Sequence, residues 1–575
     1  MKKRAWKPGW LLASAGLLVS AALLGGCGMR ARDDLPPVAA AEGSMGIYEE
    51  PLICHMGRST IANPKFPEGD TYENNAYTRY LLERLNIQVV NDFEANGADY
   101  DRQVSLAIAS GELPDVMRIG SKDILDELVE NDLVADLTEV YDQYASDYIK
   151  EIYDSYEGRC LDMATYEGRL MALPGTNLDS APCVTYIRKD WIEKTGIAVD
   201  EDGDKRITLG ELETIARAFL EQDPGESGNP VGLAFVPYLT ADDYGNSGYA
   251  MNGIGSALSA FPKVWLKDAE GQVYYGSTAP EMKEALGLLN RWFEEGILDP
   301  QFGTRTWDDI TALLTNGQLG IAFGPWHIPD WLLNNVRGMN PEAEFAAYAI
   351  SDDAGKVHVT HSNSTSGYMV VRKGYSNPEA LIKMANLYFD EMVNNRNLAE
   401  EEPEVSQYIE DGVDGTARPI SLEINAYTSL LDNYSDIERC IAGEITLDEV
   451  RTAESRSIVD SVEKYLENPK EAEIADWSKY TSRMEGIELI ERLTEEGGFA
   501  WETPAFWGVT ETMAANNASL GALEEETFVG IVTGAKALDE FDQFVSSWRQ
   551  LGGDQITAEV QAAARGSHVI AQVFR

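Results

Sequence analysis

From Gly46 to Ile119 the chain alternates short β-branched runs with amphipathic stretches: strands over 47–54, 87–92 and 116–119, helices over 77–85 and 100–110. Strands that return to one sheet in parallel need a crossover between them, and a helix with one apolar face supplies it. The pattern predicts a doubly wound α/β opening. Helical periodicity recurs over 190–194, 210–221, 279–295 and 378–395, and strand-like runs over 183–187, 232–236 and 320–323. No fixed-period repeat is visible. Pro174-Gly175 marks a boundary after which a fresh strand–helix series starts. Two α/β lobes are the simplest packing of this inventory. The acidic, helix-prone stretches 398–413 and 438–473 read as surface insertions with solvated faces.

A chain of 575 residues with 44% hydrophobic content is long and apolar enough for several folded domains. Its 96 acidic side chains against 46 basic ones leave a net charge of −50. Duplex nucleic acid is bound by Lys and Arg neutralising phosphates, so such a partner is excluded.

The N-terminus carries an address. Lys2, Lys3, Arg4 and Lys7 precede an apolar stretch that ends in Leu24-Gly25-Gly26-Cys27, the layout of a secretory signal. At about 16 residues the stretch falls short of the ~20 that span a bilayer. The Leu-Gly-Gly-Cys ending resembles the bacterial lipobox, which implies a signal peptide over 1–26 and lipidation of Cys27. A tether over 27–45, with Pro36-Pro37 and a run of Ala, would lift the body off the membrane's outer face. Of the remaining cysteines, Cys54, Cys160, Cys183 and Cys440, free thiols and one disulfide are equally open, and no Cys-x-x-Cys indicates zinc or redox chemistry.

The common catalytic signatures are missing. There is no Gly-x-Ser-x-Gly, His-Glu-x-x-His, phosphate loop or Gly-x-Gly-x-x-Gly after a strand, and the five histidines show no metal-ligand spacing. A glycosidase survives this test, because its two carboxylates carry no short motif.

One local constellation is sharp. In Asp200-Glu201-Asp202-Gly203-Asp204-Lys205-Arg206-Ile207-Thr208-Leu209-Gly210-Glu211, carboxylates fall at positions 1, 3, 5 and 12 of an EF-hand scheme, whose position 7 donates a carbonyl. The ligand set is Asp200, Asp202, Asp204, Glu211 and the Arg206 carbonyl. Hard oxygen ligands in this number favour calcium over zinc. Lys205 stands where the sharp turn ordinarily uses Gly, at a cost of roughly 1 kcal/mol for a left-handed residue. The loop stands alone, so a structural staple is expected rather than a sensor.

Several segments, read in order, resemble the extracellular solute-binding proteins of family 1, which deliver sugars to ABC importers and include the maltose-binding proteins. They are Ser110-Gly111-Glu112-Leu113-Pro114-Asp115, Asp136-Leu137-Thr138, Gly168-Arg169-Leu170-Met171-Ala172-Leu173-Pro174, Tyr186-Ile187-Arg188-Lys189-Asp190-Trp191, Asn316-Gly317-Gln318-Leu319-Gly320 with Gly324-Pro325-Trp326, and Pro504-Ala505-Phe506-Trp507. The likeness covers most of residues 46–560. It is nearest to the large Gram-positive lipoproteins, some of which carry an EF-hand-like loop in the same region.

The resemblance implies a two-lobed periplasmic-binding-protein-like α/β fold of type II with a hinge. Lobe 1 would take 46–175 and about 361–440; lobe 2 would take 176–360 and about 441–575 with C-terminal helices. It also implies that Trp326, Trp507 and Tyr238 stack on sugar, with Asp242, Asp243, Asn246 and His327 as hydroxyl partners. Asp115 and Asp190, though inside motifs, are expected to cap turns and helices.

The expected protein is a monomeric, lipid-anchored extracytoplasmic receptor that passes an oligosaccharide unaltered to an ABC permease. Its only membrane contact would be its N-terminal lipid. The rivals are a secreted glycosidase or lyase, and a surface glycan sensor or adhesion module.

Overall fold

A computed structural model describes residues 38–39, 42–179, 182–236, 239 and 250–566. In chain order, the strands of its two main sheets and of a pair beside them are β1 (Leu52–Thr60), β2 (Ile87–Asn96), β3 (Val116–Ile119), β4 (Leu173–Thr176), β5 (Val184–Arg188), β6 (Arg206–Thr208), β7 (Ile321–Gly324), β8 (Phe345–Ser351), β9 (Val357–Thr360), β10 (Thr365–Val371) and β11 (Phe499–Glu502). The first sheet has the order β2-β1-β3-β10-β4 and the second β7-β5-β8-β6. β9 and β11 form a separate parallel pair.

The opening alternation is present. Asn75 caps the helix Ala76–Leu85 by accepting the N–H groups of Tyr77 and Thr78, and Asn86 closes it in a left-handed conformation. The first strand is displaced from its expected place. It starts at Leu52, after Pro51, which has no N–H for a ladder, and runs through the polar residues to Thr60. It can do so because Arg58, buried in the core, donates to the carbonyls of Thr416, Ala417 and Arg418.

The expectation of mainly parallel sheets holds along β2-β1-β3, whose pairings are parallel. Elsewhere it is modified by one repeated event. β5 lies antiparallel between β7 and β8, and β10 lies antiparallel between β3 and β4. Each is the first strand formed after the chain passes from one sheet to the other, and each slots between two strands that share a direction. Local periodicity cannot register an insertion of this kind.

One core gathers buried side chains from Tyr48 to Leu173 and from Tyr368 to Ile424. The second sheet is flanked by two clusters that draw on residues 183–359 and 465–564. The fold is two-lobed, and among the described residues the chain leaves the first core after Leu173, enters the second sheet at Val184, returns at 361–364 and leaves again after Ile424.

Other expectations are corrected. Residues 232–236 form no strand: Val231 and Leu233 make only isolated bridges to Leu319 and Leu298. The helix expected over 378–395 is α-helical over Glu379–Asn386 and then widens into a π-turn over Leu387–Glu391. The stretch 398–413 is no detached insertion, since Leu398, Val405, Tyr408 and Val413 join the first core. The end of the expected tether is docked: the carbonyls of Val38, Gly43 and Ser44 accept from Asn377, Lys383 and Asn386. Cys54, Cys160, Cys183 and Cys440 are all free thiols. No helix among the described residues is long and apolar enough to cross a membrane.

Candidate functional site

The crossings converge on Asp179. Its carboxylate accepts from the Ser362 N–H at 2.5 Å, faces Nδ1 of His361 at 2.7 Å and accepts the Tyr427 hydroxyl at 2.6 Å. His361 stacks on Trp501 with ring centroids 4.4 Å apart and planes 7° apart. Burial opposes the charge on Asp179, yet these hydrogen bonds and the field of His361 hold its carboxyl below the usual range.

Two chambers open beside this knot. One, of about 210 Å³, is bordered by Asn177 and residues 360–363 of the crossings; the other, of about 400 Å³, reaches the C-terminal helices. They share Lys263, Trp265, Phe506 and Trp507. Trp507 therefore lies in a wall common to both. Its position is set locally: the Ala505 N–H donates to the Trp265 carbonyl at 2.7 Å, and Gly508 takes φ 140°, which turns the chain toward the helix Glu511–Val532.

The larger chamber has aromatic walls. Tyr275 and Trp548 stack at 5.1 Å and 9°, and Trp265 packs on both. Flat apolar faces of this kind suit the C–H faces of a ring-shaped solute, with polar groups at the edge to fix orientation. Trp265, Tyr275, Trp548 and Lys263 were not singled out in the sequence. No local pattern marks them, since they come from three separate segments.

Trp326 follows β7 and is half-buried in the second lobe, outside both chamber linings. The Arg483 guanidinium lies over its ring at 5.0 Å, and its carbonyl accepts the Tyr186 hydroxyl at 2.5 Å. His327 meets it edge-on at 5.0 Å. Burial lowers the His327 pKa, and its Nδ1 accepts the Trp331 indole N–H at 2.9 Å, which places the ring proton of the neutral form on Nε2. Trp331 is 42% exposed and stacks on Trp307. Tyr238, Asp242, Asp243, Asn246 and Cys27 lie outside the described residues.

Asp115 and Asp190 are structural, but not as caps. Asp115 accepts from the His55 N–H and from Arg372, joining strands of the first sheet; Asp190 holds the Arg188 guanidinium through both oxygens.

In the acidic loop, ligand oxygens of Asp200, Asp202 and Asp204 lie within 4.8 Å of one another, a group able to hold a metal ion. Lys205 does adopt the left-handed conformation, at φ 63°, with its N–H bonded to Asp200 and its Nζ 3.0 Å from Glu485. Burial and the neighbouring aspartates raise the Asp200 pKa against the pull of the Lys205 N–H. Glu211 stands differently from the scheme: its Oε2 accepts the N–H and hydroxyl of Thr208, capping the helix Leu209–Gln222. The loop is pinned on β6, which pairs with β8, and by Arg492 donating to the Gly203 carbonyl.

Residues 63–396 match the family model described as bacterial extracellular solute-binding protein. A Bacillus subtilis protein named polygalacturonan/rhamnogalacturonan-binding protein YtcQ is 24% identical over 54% of this chain. The match spans 57% of that relative's length. Among solved structures, an extracellular solute-binding protein from Bifidobacterium longum subsp. infantis superposes with a TM-score of 0.61 at 15% identity, over 90% of this chain and 98% of its own. The S. pneumoniae substrate-binding protein FusA, as an EF-hand mutant with fructo-nystose, does so with a TM-score of 0.55 at 16% identity, over 89% and 99%.

Proposed function

The chain belongs to the family of bacterial extracellular solute-binding proteins, and on that ground we propose that it captures an oligosaccharide between its lobes and hands it, unaltered, to an ABC permease. The observation that carries this reading is the placement of Trp507. It stands half-buried in the wall shared by two chambers, beside the segments that join the lobes. A ring stacked on it would sit beside the joining residues Asn177 and 360–363, and a closed form that contacts both faces of the solute is the one binding selects. The carbohydrate specificities in the names of YtcQ and FusA support the solute class.

The same reading assigns lobe 1 to 46–175 and from about 361 to about 424, short of the 440 expected, and lobe 2 to the rest of the body, with Cys27 lipidated and the body held as a monomer on the outer face. Calcium occupies Asp200, Asp202, Asp204 and the Arg206 carbonyl, and Glu211 joins when it releases Thr208. The neighbour's EF-hand supports that choice. Tyr238, Asp242, Asp243 and Asn246 remain assigned to the solute.

The test is a tryptophan-fluorescence titration against a glycan panel, with chromatography of the glycans afterwards. Saturable binding with intact glycans is expected. Cleaved products would replace the receptor by a glycosidase or lyase.

A further inference from the structure

The larger chamber holds a group that the receptor reading does not use. Met513, Asn517, Leu520, Gly521 and Glu524 recur at helical spacing along Glu511–Val532 and line one side of it. Glu524 is 2% exposed, and its Oε1 has no hydrogen-bond partner. Its carboxyl is drawn to the hydroxyls of Ser277 and Tyr275, so the acid is held in the wall with one oxygen left unpaired. Trp265, Tyr275 and Trp548 line the same chamber.

We propose that this chamber is a subsite for a neutral sugar ring at the end of the bound chain, and that Glu524, a buried acid in its wall, selects it by disfavouring a second acid there. The proposal rests on the oligosaccharide reading above. Its volume of about 400 Å³ lies in the range of ligand pockets, about 300–1,000 Å³. Lys263 borders both chambers, whereas Glu524 borders only the larger. A uronate in the larger chamber would therefore set its carboxylate beside a second acid in a poorly solvated place, where burial disfavours any charge and, at pH 8, two carboxylates repel. The discrimination favours neutral rings there, even though YtcQ is named for acidic glycans.

The experiment is titration of the full chain with maltotriose, mannotriose, xylotriose and trigalacturonate, for wild type, Glu524→Gln, Gly521→Trp and Trp507→Ala. A Cβ at Gly521 meets nothing within 4 Å, so a Trp there fills the chamber without displacing the core. At least one neutral trisaccharide should bind tenfold or more tighter than trigalacturonate. At pH 8 Glu524→Gln should narrow that gap at least threefold, and Gly521→Trp should abolish binding while the thermal midpoint is kept. If Glu524→Gln fails to fold, Gly521→Trp decides alone. Binding lost in Trp507→Ala but untouched by Gly521→Trp overturns the subsite and spares the receptor reading. Equal or tighter binding of trigalacturonate also overturns the subsite. No binding of any trisaccharide overturns both.

Discussion

Nδ1 of His361 lies 2.7 Å from Oδ2 of Asp179, with the two side chains 4% and 5% exposed. They belong to different crossings, and the Tyr427 hydroxyl brings the third crossing to the same oxygen. One carboxylate thus ties the three connections seen among the described residues.

Replacing that carboxylate by an isosteric amide should loosen the knot. Asp179→Asn is expected to cost about 1–3 kcal/mol at pH 7, since buried donors lose a charged acceptor. The Asp179 pKa is depressed in the folded protein. Its contribution is therefore present above the unfolded carboxylate value near 3.9 and is lost as pH falls through the lower folded value. Urea unfolding at several pH values should show the gap between wild type and variant closing from pH 5 toward pH 3. A gap that widens on acidification would contradict the assignment.

Trp507 and Trp326 make separable contributions. Trp507→Ala removes a wall common to two chambers and should weaken glycan binding at least tenfold. Trp326, packed under Arg483, should cost binding and stability together when truncated. Calorimetric titration alongside thermal melts distinguishes the two, and unchanged affinity in Trp507→Ala would remove it from the site.

Calcium should raise the thermal midpoint, as any ligand that prefers the native state does. Asp202→Ala, at an exposed position, should abolish the rise while leaving the midpoint in chelator unchanged. Melting curves with calcium and with EDTA give the answer; an equal shift in both proteins would place the ion elsewhere.

Glu524 predicts an opposite pH trend. Burial lifts its carboxyl to about 7, against the pull of Lys263 and the hydroxyls of Ser277 and Tyr275, with Glu525 adding to the rise. Because the folded value exceeds the unfolded one near 4.3, the native state holds the proton more tightly, and stability falls as pH rises from about 4.5 to 7. The cost reaches about 4 kcal/mol at pH 8. Glu524→Gln should therefore gain on wild type in urea between pH 5 and pH 8. A constant difference across that range would show that Glu524 is not held neutral by burial.

Much of the fold was legible because local physics repeats. The helix over Ala76–Leu85 follows from apolar spacing and the Asn75 cap, and β3 from a β-branched run. The acidic loop was legible for the same reason: its carboxylates are neighbours along the chain before they are neighbours in space. Trp507 was reachable through a motif. Its partners Trp265, Tyr275, Trp548 and Glu524 were not, because an aromatic in a sequence looks the same whether it fills a core or lines a chamber.

What the chain carries locally are its periodicities, caps and acidic loop, since each depends on residues a few positions apart. Tertiary structure alone decided that β5 and β10 insert antiparallel after each crossing, that Asp179 meets His361 and Tyr427, and that Glu524 shares a chamber with three aromatic rings. Those pairings span tens to hundreds of residues, and only the packing of two lobes brings them within reach of a hydrogen bond.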